Sequence, residues 1–309
     1  MTGIRILGTG AQAPSKIVSN DDLAKIVDTS DEWITQRTGM SVRHHVQGEE
    51  NHTWLAEMAA RKAIENAGVS KDEIGVVVVC TVSADYFSPS TACLIQGRLG
   101  LPNDMIAIDV GAGCSGFIFG LETIRALMMA RNAKYGLIIG AEVLSKKMDM
   151  TDRSTCVLFG DGAAAAVVEL SDKLYTSVIG VDGDEEMINI KSPDGYIHMD
   201  GQGTYKFAVA TVPKVIEKVV EQAGLTYDEI DHFVMHQANL RIIESIAKKV
   251  KQPMDKFIVN IQKYGNTSAA SVGLALDEAV SEGRIKPGDK VLFCAFGAGR
   301  TWGAVIIEW

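Results

Sequence analysis

The sequence predicts an α/β protein built as two similar halves, and three observations predict it. Strand-like and helix-like runs alternate along the chain, the pattern of sheets with helices packed on them. Several strand runs are continuously apolar and β-branched, as strands covered on both faces are. The third observation is a repeat. Residues 65–78 match residues 221–234 at seven positions: Glu65/Glu221, Ala67/Ala223, Gly68/Gly224, Asp72/Asp228, Glu73/Glu229, Ile74/Ile230 and Val78/Val234. Each copy reads as a helix end with Gly at the stop, a polar turn, then a buried strand. A chain of 309 residues can hold two units of about 150, and the repeat divides it into halves at 1–170 and 171–309.

Taken in order, strands are expected in the first half at 5–7, 76–80, 105–110, 136–139 and 163–169. The second half repeats the series at 232–236, 257–261, 291–296 and 304–308. The run at 76–80 has no polar face, so it reads as a strand inside a sheet. Helices are expected between the strands at 53–67, 89–99 and 115–130, then at 207–223, 240–250 and 267–282. The alternation implies mostly parallel sheets. Residues 182–205 are Gly/Asp-rich and open the second half as a loop or hairpin.

Composition excludes several function classes. No run reaches the ~18 apolar residues of a membrane span. The start, Met1-Thr2-Gly3-Ile4-Arg5-Ile6-Leu7, lacks a charged region followed by an apolar core, so no signal peptide is expected. Five widely spaced cysteines without C-x-x-C argue against disulfides and structural zinc, and for a reducing cytoplasm. A net charge of −9 argues against nonspecific nucleic-acid binding.

The repeat also points to chemistry. In each half a second strand-to-helix junction follows, carrying Cys114 in Gly113-Cys114-Ser115 and, 152 residues later, Asn266 in Gly265-Asn266-Thr267. His236 ends the strand whose first-half counterpart ends at Cys80. About a pseudo-two-fold axis equivalent strand ends face each other, so a thiol, an imidazole and an amide would share one cleft. Cys114 lies between an apolar strand and an apolar helix, where a helix N-terminus favours the thiolate. Cys80, Cys93, Cys156 and Cys294 read as buried structural cysteines. Taken alone, His236 reads as a satisfied structural residue and Asn266 as an N-cap.

Other stretches carry two readings each. Residues 111–116 also match the dinucleotide-binding pattern G-x-G-x-x-G, with Glu142 as the candidate ribose acid, although Glu142 stands 26 residues past Gly116 rather than ~20. Trp33 and Arg37 are an i, i+4 pair that suits an adenine ring and a phosphate, or a packed Trp with Arg at the rim. The small-residue turn from Phe296 to Gly303 can aim backbone N–H groups at a carbonyl, or simply close a hairpin. Arg241, Lys248, Lys249, Lys251 and Lys256 are a solvated face or a patch that steers an acidic partner. His44, His45, His52, His198 and His232 show no metal-ligand spacing and read as surface residues.

Seven motifs together resemble the β-ketoacyl-acyl-carrier-protein synthase III branch of the thiolase-like condensing enzymes, over essentially the whole chain. They are Asp28-Thr29-Ser30-Asp31-Glu32-Trp33-Ile34, the Cys114 junction, Thr151-Asp152-Arg153-Ser154-Thr155, Phe159-Gly160-Asp161-Gly162-Ala163, His236-Gln237-Ala238-Asn239, Gly265-Asn266-Thr267-Ser268-Ala269-Ala270-Ser271 and Thr301-Trp302-Gly303. The resemblance implies a duplicated thiolase-like fold of five layers, αβαβα, with two mixed sheets, in a homodimer. It implies condensation of a short acyl-CoA with malonyl-acyl-carrier protein to start fatty-acid synthesis, with no cofactor and no metal.

Residue by residue, the resemblance implies that Cys114 is acylated and that His236 and Asn266 hold the malonyl thioester oxygen. The N–H groups of Cys114 and Ala298 would form the oxyanion hole. Trp33 and Arg153 would sandwich the CoA adenine, with Arg37, Thr29, Gly201 and Asn239 as further CoA contacts. Phe87, reaching across the dimer, would line the acyl pocket with Leu158 and Phe296. Gln237, Ala238, Asn239, Leu240 and Arg241, with Lys248 and Lys249, would meet the carrier protein. Two departures stand out: Ala298 replaces the middle glycine of the terminal turn, and Arg300 replaces a residue more often apolar. Asn266 in place of a second His argues against an elongating enzyme. Ala295 argues against a thiolase, and Thr81-Val82-Ser83-Ala84 against a hydroxymethylglutaryl-CoA synthase. From other classes, a Cys–His–Asn hydrolase, a nicotinamide-dependent oxidoreductase and a non-catalytic carrier-binding module remain readings of the same residues.

Overall fold

The computed structural model describes residues 2–192 and 194–309, so Met1 of the N-terminal run lies outside the described residues. Two five-stranded sheets form its centre. The first runs β5 (Ile106–Val110), β4 (Ile74–Cys80), β6 (Tyr135–Glu142), β7 (Gly162–Ser171), β1 (Gly3–Gln12). The second runs β12 (Phe257–Ile258), β11 (His232–Met235), β13 (Lys290–Gly297), β14 (Gly299–Glu308), β8 (Tyr175–Asp184). Two small hairpin-like pairs complete the strands, β2 (Lys16–Ser19) with β3 (Val42–His45), and β9 (Ile188–Ile190) with β10 (Ile197–Met199).

The pairing is the same in both sheets. β4 runs parallel to β5 and β6, and β11 parallel to β12 and β13. β7 and β1, like β14 and β8, then add on antiparallel. Each sheet is therefore mixed rather than mostly parallel. The physical reason is plain at β13–β14, where a tight turn joins the strands and leaves no room for the crossover that parallel pairing needs. The repeat is as regular locally. Gly68 and Gly224 both take left-handed backbone (φ 65° and 68°), and a single 3₁₀ turn follows each at Lys71–Glu73 and Tyr227–Glu229. Ser70 and Thr226 precede those turns, and β4 and β11 follow them.

Helices fill three layers. α3 (His52–Ala67) and α4 (Thr91–Leu99) cover the outer face of the first sheet through Leu55, Ala59, Ile95, Val77 and Val79. α7 (Gly201–Gln222) and α8 (Leu240–Lys249) cover the second through Val212, Ile216, Ile243, Phe233 and Leu292. Between the sheets lie α5 (Gly116–Arg131) and α10 (Ser271–Ser281), in one core with Val78, Phe117, Ile138, Val272, Phe293 and Val305. That gives the five layers αβαβα. Each large side chain buried there contributes about 1.5–3 kcal/mol, so the two halves share their main core. The short helices α1 (Asn20–Ala24), α2 (Asp31–Thr38), α6 (Arg153–Cys156) and α9 (Ile261–Tyr264) contribute to a separate cluster around Ile34, Cys156 and Ile261.

Several expected elements differ. α7 starts at Gly201, because Asp200 caps it by accepting Gly203 N–H at 2.9 Å; its glycine-rich first turn hides the helical period. The strand expected at 257–261 stops after two residues and turns into α9. Residues 182–205 hold the end of β8, the β9–β10 pair and the start of α7. His45 and His52 are buried rather than superficial, and Cys93 is exposed rather than buried. Among the described residues no helix is long and apolar enough to cross a membrane, and no cluster of His, Cys, Asp or Glu could hold a metal.

Candidate active site

Cys114 sits in a 3₁₀ turn, Gly113–Ser115, that leads from β5 into α5. Two cavities meet at it. The larger, about 560 Å³, runs past Thr81, Phe87, Leu144, Ile188 and Ser268. The smaller, about 190 Å³, is lined by His236, Asn266, Leu158, Phe296, Gly201 and Asn239. The three residues that the two-fold argument brings together thus border one space. Phe296 packs edge-on to His236, with centroids 5.5 Å apart.

The thiol is not in the state expected from its place at a helix N-terminus. Burial pushes it up to about 12, against a pull downward from the Ser268 hydroxyl. Burial wins, although Cys114 keeps partial solvent contact on the cleft floor.

His236 follows β11 and is 2% exposed. Burial holds its pKa down to about 3, so the ring is neutral at pH 7. Its Nδ1 lies 2.7 Å from Ser271 Oγ at the start of α10. The Ser271 hydroxyl also reaches Ser268 O at 2.8 Å. When that proton turns to Nδ1, the ring keeps its own proton on Nε2, a donor toward the cavity.

Asn266 is not the N-cap expected of it, since Thr267 holds that position before the turn Ser268–Ala270. Its Oδ1 accepts Ser268 N–H at 2.9 Å, while its backbone N–H donates to Leu158 O and its carbonyl accepts from Gly160 N–H. With the oxygen pinned, the amide NH2 is the end left for the cavity, and it makes no hydrogen bond among the described residues. Ser268 is the hub. Its N–H fixes Asn266, its carbonyl competes with His236 Nδ1 for the Ser271 proton, and its hydroxyl donates to Glu142 Oε1 at 3.1 Å.

The terminal turn packs against the nucleophile's backbone. A Cβ on Gly297 would stand 2.6 Å from Cys114 N, and one on Gly113 (φ 53°) would stand 3.1 Å from Ala298 N. Only glycine fits these two contacts. Ala298 itself is not among the left-handed residues, whereas Gly299 is (φ 132°), so the alanine meets no backbone penalty. Arg300 ion-pairs with Asp182 and lies 3.6 Å from Asp184, with its guanidinium over Phe207 at 5.4 Å.

The dinucleotide reading fails here. Glu142 is fully buried, out of a ribose's reach, and accepts from Thr81, Val82, Ser83 and Ser268. No feature of its own stretch of sequence announces this role. The space beside Gly113 is filled by Ala298.

At the other end, Trp33 of α2 carries the Arg37 guanidinium at 4.9 Å and that of Arg153 at 5.0 Å from its ring centroid. Arg153 also donates to Asp28 O at 2.8 Å. Asn239 caps α8 and donates to Arg37 O at 3.0 Å, joining this group to the smaller cavity. Gly39 ends α2 with φ 80° and meets Leu240 so closely that a Cβ would stand 2.5 Å away. The Thr29 hydroxyl is buried without a partner among the described residues.

Of the residues expected on the carrier-facing surface, Arg241, Lys248 and Lys249 are exposed on α8 and Ala238 and Leu240 partly so. Gln237 is not: it is 1% exposed, donates to Met235 O and Ile258 O, and accepts Asn260 N–H. It braces the strand ends and has no surface to offer a partner. Lys256 is likewise occupied by the carbonyls of Asp228 and Ile230. Phe87 lines the larger cavity and is 89% exposed, while Leu158 and Phe296 line the smaller.

Residues 108–183 match the family model of 3-oxoacyl-[acyl-carrier-protein] synthase III, and residues 220–309 that of its C-terminal part. Beta-ketoacyl-[acyl-carrier-protein] synthase III of Aquifex aeolicus is 45% identical over 311 residues, covering 99% of this chain and 100% of the relative. That of Fusobacterium nucleatum is 42% identical over 327 residues, covering 100% and 99%. The crystal structure of the Aquifex aeolicus 3-oxoacyl-[acyl-carrier-protein] synthase III superposes with a TM-score of 0.95 at 44% identity, covering 99% of this chain and 100% of that one. The Thermus thermophilus synthase III structure gives 0.94 at 40%, with 98% of each chain covered. The chain belongs to the 3-oxoacyl-[acyl-carrier-protein] synthase III family.

Proposed function

We propose that this protein condenses a short-chain acyl-CoA with malonyl-acyl-carrier protein, releasing CO2 and giving the 3-oxoacyl-carrier protein that starts type II fatty-acid synthesis in the cytoplasm. The observation that carries the reading is the meeting of Cys114, His236 and Asn266 on one cavity. In the first stage Cys114 attacks the acyl-CoA thioester and CoA leaves. The N–H groups of Cys114 and Ala298, held side by side by Gly113 and Gly297, support the oxyanion. In the second stage malonyl-carrier loses CO2. His236 Nε2–H and the Asn266 amide hydrogen-bond the enolate oxygen, and the carbanion attacks the acyl-Cys114 carbonyl. CoA release before the second substrate enters gives ping-pong kinetics. Incubation with acetyl-CoA and malonyl-carrier is expected to yield one CO2 per 3-oxoacyl-carrier. Hydrolysis products without CO2, or an absorbance change on adding a nicotinamide nucleotide, would refute it.

In this reading Trp33 and Arg153 hold the CoA base, with Arg37, Thr29, Gly201 and Asn239 along the same path. A base between two planes needs about twice a 3.5–4.0 Å contact, so Arg153 must swing off Trp33 to admit it. Stacking favours ground and transition states alike, and is worth about 1–3 kcal/mol. Trp33→Ala is therefore expected to raise the acyl-CoA KM roughly tenfold with little change in the single-turnover acylation rate, and to leave an acyl donor without the nucleotide unaffected. Equal damage to both donors would make Trp33 a packing residue.

Ala238, Asn239, Leu240, Arg241, Lys248 and Lys249 form the proposed carrier-facing surface, a local basic patch on a chain of net charge −9. Arg241→Glu is expected to weaken use of malonyl-carrier several-fold at low salt, to spare acylation from acyl-CoA, and to lose its penalty at high salt through screening. Loss of both half-reactions together would remove the patch from the account. The homodimer rests on β5, an edge strand, and on exposed Phe87, Tyr86 and Val82 beside it. There Phe87 would reach the acyl pocket of the second copy, and a solution mass of twice 33.2 kDa is the check.

A further inference from the structure

Glu142 ends β6 with no solvent exposure. Its Oε2 accepts from the Ser83 hydroxyl at 2.5 Å, Val82 N–H at 3.2 Å and the Thr81 hydroxyl at 3.2 Å. Its Oε1 faces the other way and, among the described residues, accepts only the Ser268 hydroxyl, at 3.1 Å. The turn that begins at Ser268 packs against the turn that holds Cys114, and both residues line the larger cavity. The Ser268 backbone is left-handed, φ 49°, a conformation that costs a serine about 1–3 kcal/mol and gathers at functional sites. A buried carboxylate hydrogen-bonded to a left-handed serine thus lies beside the cavity floor that holds the reactive sulfur.

We propose that Ser268 passes the Cys114 proton to Glu142 during acylation. This rests on Cys114 being the acylated group. The S–H bond of Cys114 breaks and its proton moves to the Ser268 oxygen, while the Ser268 proton moves to Glu142 Oε1. The thiolate forms its bond to the acyl carbon, the bond from that carbon to the CoA sulfur breaks, and the same path returns the proton to that sulfur. CoA leaves as a thiol and Glu142 is ionised again.

A thiol raised by burial gives up its proton in step with its attack rather than beforehand, and so gains from an acceptor within reach. His236, held low by burial, is a poor acceptor. Glu142 is raised by burial to about 7 and surrounded by donors rather than cations. Among the described residues, Cys80 and Cys114 face Glu142, His52 of α3 meets it through Thr81, and Asp85, Asp109, Lys147, Lys191 and Asp194 line the larger cavity.

The test is the pH profile of single-turnover acylation at saturating acetyl-CoA, read as acyl mass on Cys114. The wild type is expected to gain tenfold per pH unit below about pH 7 and then level off, because the acceptor is by then ionised. Glu142→Gln is expected to lose about a hundredfold at pH 7, the low end for a general base, and to climb without levelling. Glu142→Asp should restore the plateau in part. Ser268→Ala cuts the line while leaving Glu142 its other donors, and should behave as Glu142→Gln does even if that variant fails to fold. A wild-type rate that climbs through pH 9 without a plateau overturns the proposal. So does a folded variant that keeps the wild-type profile within threefold. Absence of acyl mass on wild-type Cys114 would instead overturn the proposed function.

Discussion

Cys114→Ala is expected to bring acyl transfer from acyl-CoA down to background while malonyl-carrier still releases CO2. The two half-reactions use different groups. Acylation needs a sulfur that can hold the acyl group, and the other cysteines cannot substitute. Cys80, Cys156 and Cys294 are buried, and Cys93 is exposed on α4, away from both cavities. Decarboxylation needs donors for an enolate oxygen, and His236 and Asn266 are anchored from Ser271, Ser268, Leu158 and Gly160, none of which depends on the Cys114 side chain. Intact-mass detection of the acyl-enzyme, paired with CO2 release, checks both halves. A variant that stops releasing CO2 would mean the thiol takes part in decarboxylation.

His236→Ala and Asn266→Ala are expected to show the converse: Cys114 should still take the acyl group, and decarboxylation should fall by about a hundredfold or more. The magnitude follows from one good donor to a developing oxyanion in a water-poor site, about 3–4 kcal/mol. For His236 the neutral ring is the form the role needs, and burial favours it. For Asn266 the amide end is committed to the cavity because Ser268 N–H holds the oxygen. The same paired assay applies. If His236→Ala also abolished acylation, His236 would be the base for Cys114, and both the Glu142 path and the separation of half-reactions would fall.

Much of this was legible in the chain because the fold is duplicated. The spacing that equates Cys80 with His236 and Cys114 with Asn266 is a statement about strand ends, and strand ends stay fixed when helices shift by a few residues. The alternation of strand and helix likewise revealed most of both sheets; it missed β8 and the mixed pairing, which depend on a tight turn and a chain crossing between sheets. Gln237, in a polar stretch after a strand, looked like surface; it is buried because three main-chain partners surround it.

Glu142, Ser268 and Ser271 were harder to assign, since their contacts join segments as far as 126 residues apart. A signal existed nonetheless. β6 and β13 are equivalent strands, so the end of β6 lies against the Asn266 turn as the end of β13 lies against Cys114. The close approach of Gly140 to Ala269 and of Gly297 to Cys114 records that symmetry. Extending the two-fold argument by one strand would have placed Glu142 at the site rather than at a ribose. The rise of the Cys114 thiol had no such signal, because desolvation depends on the packing of both halves together.

The central claim is a covalent acyl-Cys114 intermediate that a malonyl carbanion consumes. Intact-mass measurement of the protein, first with acetyl-CoA and then after malonyl-carrier is added, tests it directly. The expected record is one acetyl group on Cys114, lost on the second addition with matching release of CO2 and formation of 3-oxoacyl-carrier. An acetyl group that never forms, or one that leaves as free acetate without CO2, would contradict the account.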